Sequence, residues 1–191
     1  PMAVVKELVE NAIDAGANAV TVEIKEGGIS FIRITDNGSG IKKDEIPVAF
    51  LRHATSKIRC IEDLLTVQSL GFRGEALASI AAVSQVELIT KTHDELCGHH
   101  YEIHGGEEKS FDEIGCPDGT TIICRNLFYN TPARRKFLKT KMTEGGYIND
   151  VMERFALSHP EIRFTFIMDG RTKIQTSGNG QTKNNIYYIY G

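Results

Sequence analysis

Apolar and polar positions follow two different periods along this chain, and each period predicts its own kind of element. Over residues 1–15 the apolar side chains return every three or four positions, which is the spacing of an amphipathic helix with one buried face. Over residues 20–24 apolar and polar side chains alternate, which predicts a strand that faces a core on one side. Gly27 and Gly28 then turn the chain into a second strand over residues 29–35, so the two strands form a hairpin.

The rest of the chain predicts further elements of both kinds. Helical segments are expected from Pro47 and over residues 61–67, 75–82 and 146–158, with strands over residues 86–91, 98–103, 120–125 and 161–168. Residues 126–140 are predicted to be irregular. Together these elements predict an α/β protein of the α+β type, a two-layer sandwich of helices on a mixed, largely antiparallel sheet.

Composition narrows the class of protein. At 191 residues, with 41% hydrophobic and 25% charged residues, the chain is long enough for one ordinary globular domain. The net charge of −3 gives no overall basic field that would attract nucleic acid. The sequence has neither an apolar run of membrane-spanning length nor a signal peptide, so we expect a cytoplasmic protein with no membrane partner.

The four cysteines are expected to be reduced thiols, because they show no paired CxxC spacing and a domain of this size needs no disulfides. Five residues could serve as zinc ligands, namely Cys97, His99, His100, His104 and Cys116. Their spacing fits no standard zinc pattern, so we favour the interpretation that they are ordinary residues of a hairpin.

Glu7 and Asn11 are the first candidate site residues. They are four positions apart on a predicted helix, so they share one face, at the edge of its apolar arc. A carboxylate there can take a proton from an attacking water, and an amide oxygen one turn away can bind Mg²⁺. The alternative is an ordinary solvated polar stripe, since such pairs are common on helices.

A glycine-rich turn, DNGSG, follows the second predicted strand. Gly38 and Gly40 would let the backbone approach a flat ring, and the carboxylate of Asp36 can accept from an exocyclic amino group such as that of adenine. Farther along the chain, Thr120 and Thr121 open a strand, and a threonine hydroxyl there could bond Asp36 or a water beside adenine. A simple turn and ordinary β-propensity are the alternatives.

Two further segments have the chemistry of phosphate binding. Residues 71–74 (GFRG) precede a predicted helix start, where glycines and free N–H groups can cradle an anion. Arg73 would make either a phosphate contact or a structural salt bridge. Thr55, Ser56 and Lys57 add two hydroxyls and a cation, although this triplet is also an ordinary helix cap.

A basic stretch without acidic residues lies between residues 125 and 142. Its six cations are Arg125, Arg134, Arg135, Lys136, Lys139 and Lys141. Such a stretch suits contact with DNA phosphates. A solvated loop or a protein-partner surface is an equally good interpretation.

In their order along the chain, these segments resemble a known family. ELVENAIDA, ITDNGSGI, HATSKI and SLGFRGEAL are similar to the ATP-binding fold shared by DNA gyrase B, Hsp90, sensor histidine kinases and MutL proteins. The sequence has no P-loop, and no GxGxxG follows a predicted strand. HATSKI, SLGFRGEALASI and LFYNTPARRKFL resemble the MutL mismatch-repair branch, and the resemblance covers nearly the whole chain.

The resemblance implies a role for each candidate residue. Glu7 would be the general base, Asn11 the magnesium ligand, and Asp36 the adenine acceptor. Gly38 and Gly40 would lie beside the ring, and Thr121 would complete the adenine site. The lid over the phosphates would comprise Thr55, Ser56, Lys57, Gly71, Phe72, Arg73 and Gly74.

The family's activity is slow, Mg²⁺-dependent ATP hydrolysis that switches conformation. ATP orders the lid and joins two N-terminal regions into a homodimer, which relays recognition by a MutS-type mismatch sensor to later repair steps. DNA contact would involve Arg134, Arg135 and Lys136.

Family members also carry an AAGEVVERP-like segment before the position of Pro1, and a second domain, with a phosphate-contacting lysine, beyond the position of Gly191. We therefore expect residues 1–183 to form the ATP-binding domain and residues 184–191 to begin the connection to that second domain. This chain should then keep the nucleotide pocket but bind ATP poorly, hydrolyse it poorly and dimerise weakly. The alternatives are another member of the superfamily, a nucleotide sensor without catalysis, and a DNA-binding scaffold.

Overall fold

The computed structural model describes residues 1–51 and 75–191. Within these residues there are six α-helices and eight strands, with short 3₁₀ turns at Glu26–Gly28 and Lys43–Glu45. The helices are α1 (Met2–Asp14), α2 (Ile46–Ala49), α3 (Ala76–Ala82), α4 (Pro132–Lys136), α5 (Lys141–Ser158) and α6 (Thr182–Tyr190). The strands are β1 (Ala19–Lys25), β2 (Phe31–Asp36), β3 (Gln85–Lys91), β4 (Gly98–His104), β5 (Glu107–Ile114), β6 (Gly119–Arg125), β7 (Arg163–Met168) and β8 (Arg171–Gln175).

These eight strands form one sheet in the order β5-β4-β3-β6-β2-β1-β7-β8. Neighbouring strands are antiparallel, except that β1 and β7 run parallel. The predicted β1–β2 hairpin is present, and Gly27 adopts a φ of 68° in the turn that joins its strands. The structure therefore confirms the predicted class, an α+β fold with a mixed, largely antiparallel sheet.

The two faces of the sheet differ in burial. The register pairs Val22 with Ile34, Ile34 with Ile122, and Ile122 with Leu88, and all four side chains are buried. Buried residues of α1 and α5 belong to the same core, so we call this side the helix face. The opposite side is the open face, which carries among others Thr35, Glu87, His100, Glu102 and Thr121.

Two strands were not predicted, β5 and β8, and both lie at an edge of the sheet. Most side chains of β5 are exposed, and Ile174 is the one buried residue of β8. An edge strand with little burial has no need of alternating apolar residues, so these two segments contain no period to detect.

The segment after β6 is more helical than predicted. The short helix α4 lies within the stretch expected to be irregular, and α5 begins at Lys141 rather than near residue 146. The side chain of Thr140 caps α5 by accepting from the N–H of Thr143 at 3.2 Å. The helix predicted over residues 61–67 lies outside the described residues.

None of the described helices is long and apolar enough to cross a membrane. The three cysteines within the described residues, Cys97, Cys116 and Cys124, are free thiols, as predicted.

Candidate functional site

Glu7 and Asn11 lie at the edge of the buried face of α1. Leu8 and Ala12, which follow them directly, are buried in the core, whereas Glu7 and Asn11 are half-buried. Within residues 1–51 and 75–191, neither side chain makes a hydrogen bond or an ion pair. The helix therefore presents a carboxylate and an amide, one turn apart, that are available to a ligand.

The end of α1 contacts the turn that follows β2. The N–H of Ser39 donates to the carbonyl oxygen of Ala15 at 2.9 Å. Gly38 packs so closely that a Cβ there would lie 2.8 Å from both the carbonyl oxygen and the Cβ of Ala15. Because Ala15 follows Asn11 by one helical turn and Glu7 by two, the polar edge of α1 runs toward this turn.

Asp36 ends β2 on the helix face of the sheet, in register with Thr120 of β6. Its Oδ1 accepts a hydrogen bond from the N–H of Gly38 at 2.8 Å. Burial raises the pKa of Asp36, and the backbone hydrogen bonds of Gly38 and Thr120 offset part of that rise. A partly desolvated carboxylate at a glycine-rich turn suits recognition of a hydrogen-bond donor on a ligand.

Asn37 braces the same turn against the start of β1. Its Oδ1 accepts from the N–H groups of Asn18 and Ala19 at 2.9 and 3.0 Å, and its Nδ2 donates to the side chain of Asn18 at 2.6 Å. The carbonyl and the amino group of this one side chain therefore both fix the position of the loop.

Thr90 holds the far side of the turn, although it was not among the predicted site residues. Its buried Oγ1 accepts from the N–H of Ile41 at 2.9 Å, donates to the carbonyl of Gly119 at 3.0 Å, and lies 2.9 Å from Oγ1 of Thr120. The sequence does carry a signal, because Thr90 continues the core-facing alternation of Val86 and Leu88. A polar side chain at a core position needs a partner.

Two glycines make the close approach of these segments possible. Gly40 has a φ of 72°, and a Cβ there would lie 2.2 Å from the carbonyl oxygen of Lys91. Gly119 has a φ of 115°, and a Cβ there would lie 2.1 Å from the carbonyl oxygen of Asp36. Both positions therefore require glycine for conformation and for space.

The structure does not bring Thr121 to Asp36. Thr121 is in register with Thr35 on the open face, where its Oγ1 donates to Oγ1 of Thr35 at 3.2 Å. Thr120 is the threonine beside Asp36, because directly paired residues of two strands point to the same face. The geometry therefore replaces Thr121 by Thr120 as the hydroxyl closest to the proposed adenine acceptor.

Seven predicted lid residues lie outside the described residues, and their roles stay predictions. They are Thr55, Ser56, Lys57, Gly71, Phe72, Arg73 and Gly74.

The basic stretch divides into paired and unpaired cations. Arg125 forms an ion pair with Glu87 at 2.7 Å, and Lys141 forms one with Glu26 at 2.8 Å. The α4 cations are exposed and have no ion-pair partner within the described part of the chain; they are Arg134, Arg135 and Lys136. Lys139 is likewise exposed and has no ion-pair partner within the described residues, so the candidate contact surface for DNA comprises the α4 cations and Lys139.

The three histidines among the possible zinc ligands are divided between the two faces of the sheet. His99 is buried on the helix face, where its Nε2 lies 2.8 Å from Glu95, whereas His100 and His104 lie on the open face. Cys97 is exposed. This set of cysteines and histidines therefore does not converge on one ion.

A cavity of about 730 Å³ lies at the other end of the sheet, lined by residues of β8 and by Arg163 and Tyr188. It includes neither Asp36 nor the polar edge of α1. The size of a cavity alone therefore does not locate the candidate site, whereas the converging polar groups do.

Comparison with known proteins agrees with this geometry. The family of histidine kinase-, DNA gyrase B- and HSP90-like ATPases matches residues 1–121. The MutL DNA mismatch repair protein of Agathobacter rectalis is 69% identical over all 191 residues, and that of Shouchella clausii is 51% identical. The chain spans about 30% of the length of these relatives.

Solved structures give the same assignment. The Aquifex aeolicus MutL ATPase domain complexed with ADP matches the whole chain with a TM-score of 0.80 and 32% identity, and the match covers 68% of that domain. The N-terminal domain of a DNA repair protein matches with a TM-score of 0.83 and 30% identity, over 56% of its length. The chain therefore belongs to the histidine kinase-, DNA gyrase B- and HSP90-like ATPase family and, within it, to the N-terminal ATPase domains of MutL mismatch repair proteins.

Proposed function

We propose that this chain binds ATP at the Asp36 turn and hydrolyses it slowly with Mg²⁺, as the nucleotide-dependent part of a longer MutL-type protein. The observation that carries the proposal is the half-buried carboxylate of Asp36, held by Gly38 and Thr120 where the polar edge of α1 meets the turn. The Aquifex aeolicus domain supports a nucleotide ligand, because that protein was solved with ADP and matches this chain throughout.

Asp36 would select the base. An ionised carboxylate only accepts hydrogen bonds, so it pairs with the exocyclic amino group of adenine and disfavours the carbonyl that guanine carries at the same position. Gly38 and Gly40 put no side chain between the turn and a flat ring. We therefore expect adenine nucleotides to bind more tightly than guanine nucleotides.

Glu7 and Asn11 would supply the hydrolytic chemistry. Glu7 would take the proton of a water that attacks the γ-phosphate in line. Asn11 fits Mg²⁺, because this hard cation prefers oxygen ligands and needs few from the protein. When bound, Mg²⁺ would neutralise charge on the phosphate oxygens. The absence of described partners for both side chains supports this assignment.

The remaining parts of the proposal rest on the family. Thr55, Ser56, Lys57 and residues 71–74 would cover the phosphates, and ATP would join two such regions into a homodimer in the cytoplasm. The dimer would pass the signal of a MutS-type mismatch sensor to later repair steps. Residues 1–183 would form the ATP-binding domain, with residues 184–191 leading on from it, and this chain by itself would bind and hydrolyse ATP poorly.

Weak DNA binding is a second proposed activity, and the exposed cations of α4 favour it. Each phosphate contact contributes about −0.9 to the slope of log affinity against log salt. The Arg134→Gln, Arg135→Gln double variant should therefore flatten that slope by about 2. An unchanged slope would remove α4 from the interface.

The test of the nucleotide site is calorimetric titration with a non-hydrolysable ATP analogue and Mg²⁺. The chain should bind the analogue saturably and prefer it to the guanine counterpart, and Asp36→Ala should abolish binding. Binding that survives in Asp36→Ala would place the base elsewhere. A nucleotide sensor without catalysis predicts binding but equal ATP turnover in the chain and in Glu7→Ala, whereas the proposed ATPase predicts loss of turnover in that variant.

A further inference from the structure

Three potential metal ligands meet on the open face of the sheet. The register of β3 and β4 places Glu87 directly opposite Glu102. His100 precedes Glu102 by two residues on the same strand, so its side chain lies on the same face. All three residues are half-buried, and their ligand atoms lie within 4.8 Å of one another.

The distances between these atoms are close to those of a coordination sphere. Nε2 of His100 lies 2.6 Å from Oε1 of Glu87 and 3.7 Å from Oε1 of Glu102. Around a tetrahedral Zn²⁺, bonds of about 2.1 Å put neighbouring ligand atoms roughly 3.4 Å apart. Side-chain shifts of roughly 1 Å, which glutamate torsions allow, would produce that geometry.

The outer oxygens of both carboxylates face other side chains. Nη1 of Arg125 lies 2.7 Å from Oε2 of Glu87, and Nε2 of His104 lies 3.6 Å from Oε2 of Glu102. Each carboxylate therefore keeps one oxygen, Oε1, directed at His100. Outer contacts of this kind orient the groups that bind a metal.

The charges around His100 favour a cation. Besides Glu87 and Glu102, the register places Asp112 of β5 opposite His100. Arg125 is the cation paired with this group within the described part of the chain. Three carboxylates and one guanidinium around the imidazoles of His100 and His104 leave an excess of negative charge that a divalent ion would neutralise.

We propose that Glu87, His100 and Glu102 form a binding site for Zn²⁺ or a similar divalent transition ion, which would clamp β3 to β4. An imidazole nitrogen with two carboxylate oxygens is a donor set for such ions rather than for Mg²⁺. The site lies on the open face, opposite the Asp36 turn, so it is separate from the nucleotide site. It also differs from the set of cysteines and histidines that the sequence suggested.

Titration of the metal-free chain with Co²⁺ tests this site directly, because the visible spectrum of Co²⁺ reports its ligands. We expect one Co²⁺ per chain, a spectrum of nitrogen and oxygen ligands without a thiolate charge-transfer band, and displacement by Zn²⁺. His100→Gln and Glu102→Gln should each weaken binding at least about tenfold. The matched control is His159→Gln, since His159 pairs with the single carboxylate of Glu161 at 3.2 Å and should leave binding unchanged.

Zn²⁺ should also raise the melting temperature of the parent chain and of His159→Gln, but not of the two site variants. Circular dichroism of each metal-free variant establishes that it is folded, and the second site variant decides the matter if the first does not fold. Three outcomes would overturn the proposal: no saturable binding, a thiolate band that assigns the ion to cysteine, or unchanged affinity in both site variants. Any of them would leave these residues as an ion-pair network.

Discussion

The two halves of the proposed nucleotide site are built in opposite ways. The Asp36 turn is fixed from three sides, by Asn37 against β1, by Thr90 against β3 and β6, and by Gly38 against the end of α1. Glu7, on the polar edge of α1, makes no side-chain hydrogen bond to any described residue.

Because of this difference, variants of the turn should affect the stability of the fold, whereas variants of the helix edge should affect only the proposed chemistry. In the proposed site, the turn would couple folding to base recognition, because the same contacts would support both. The helix edge would carry the proposed reactive groups on a backbone that packs through other residues, so its polar side chains can change at little cost to folding. The following variants are ordered by their expected effect on stability, from the largest to none.

Gly40→Ala should destabilise the chain most. Its Cβ would lie 2.2 Å from the carbonyl of Lys91 at a φ of 72°, so a clash adds to backbone strain, and about 3 kcal/mol is expected from urea unfolding. Gly106→Ala is the matched control, since φ is 84° there and nothing lies within 4 Å of the new Cβ. It should cost about 1 kcal/mol, and equal losses in both variants would mean that close packing at Gly40 is unimportant.

Thr90→Val should cost about 2 kcal/mol, because it removes one buried hydroxyl and leaves the part-buried N–H of Ile41 and the carbonyl of Gly119 without this partner. The affinity for an ATP analogue should fall with it, as measured by calorimetry. Thr121→Val, on the open face, should stay within about 0.5 kcal/mol of the parent and keep its affinity. The reverse result would restore Thr121 to the adenine site.

Asp36→Asn should abolish nucleotide binding without loss of stability at neutral pH. Folding raises the pKa of Asp36 above its ordinary value of 3.8, so this group favours folding below that value and loses its contribution as pH rises through the raised pKa. At neutral pH the desolvated, ionised carboxylate therefore opposes folding.

Melting temperatures of the parent and of Asp36→Asn, measured between about pH 4 and about pH 7, test whether ionised Asp36 opposes folding. The melting temperature of Asp36→Asn should rise relative to that of the parent as pH rises. If the melting temperature of the parent instead rises relative to that of the variant over this range, ionised Asp36 stabilises the fold.

Glu7→Gln should leave the free energy of unfolding within about 0.5 kcal/mol of the parent. ATP turnover should fall at least about 100-fold, since a positioned base contributes that much to proton transfer. The measurement is phosphate release under single-turnover conditions, with binding of a non-hydrolysable analogue as the control. Unchanged turnover would show that the chemistry does not use Glu7.

Sequence periodicity predicts strands correctly where one face of the strand is buried, but it does not detect the exposed strands at the edges of the sheet. Alternation over residues 20–24 located a central strand, since its apolar side chains face the helices. β5 and β8 are exposed edge strands whose polar side chains leave no period to find.

The motifs of the candidate site can be found in the sequence, but the register that places them cannot. The DNGSG motif predicts Asp36 and Gly40 as residues of one turn. In the structure Gly119 packs against Asp36, and Gly40 packs against Lys91. Which of two consecutive threonines faces Asp36 depends on how β6 is aligned with β2, and a shift of one residue exchanges the two faces. The role of Thr90 depends on three partners from distant segments, which no local pattern contains.

The most direct test is an amide NMR titration of the chain with a non-hydrolysable ATP analogue and Mg²⁺. The account predicts chemical-shift changes at the backbone amides of Gly38, Ile41 and Thr120, with much smaller changes for a guanine analogue. Open-face residues such as Glu87 and His100 should not respond. Changes confined to other regions, or equal changes with guanine, would contradict the assignment of the Asp36 turn as the adenine site.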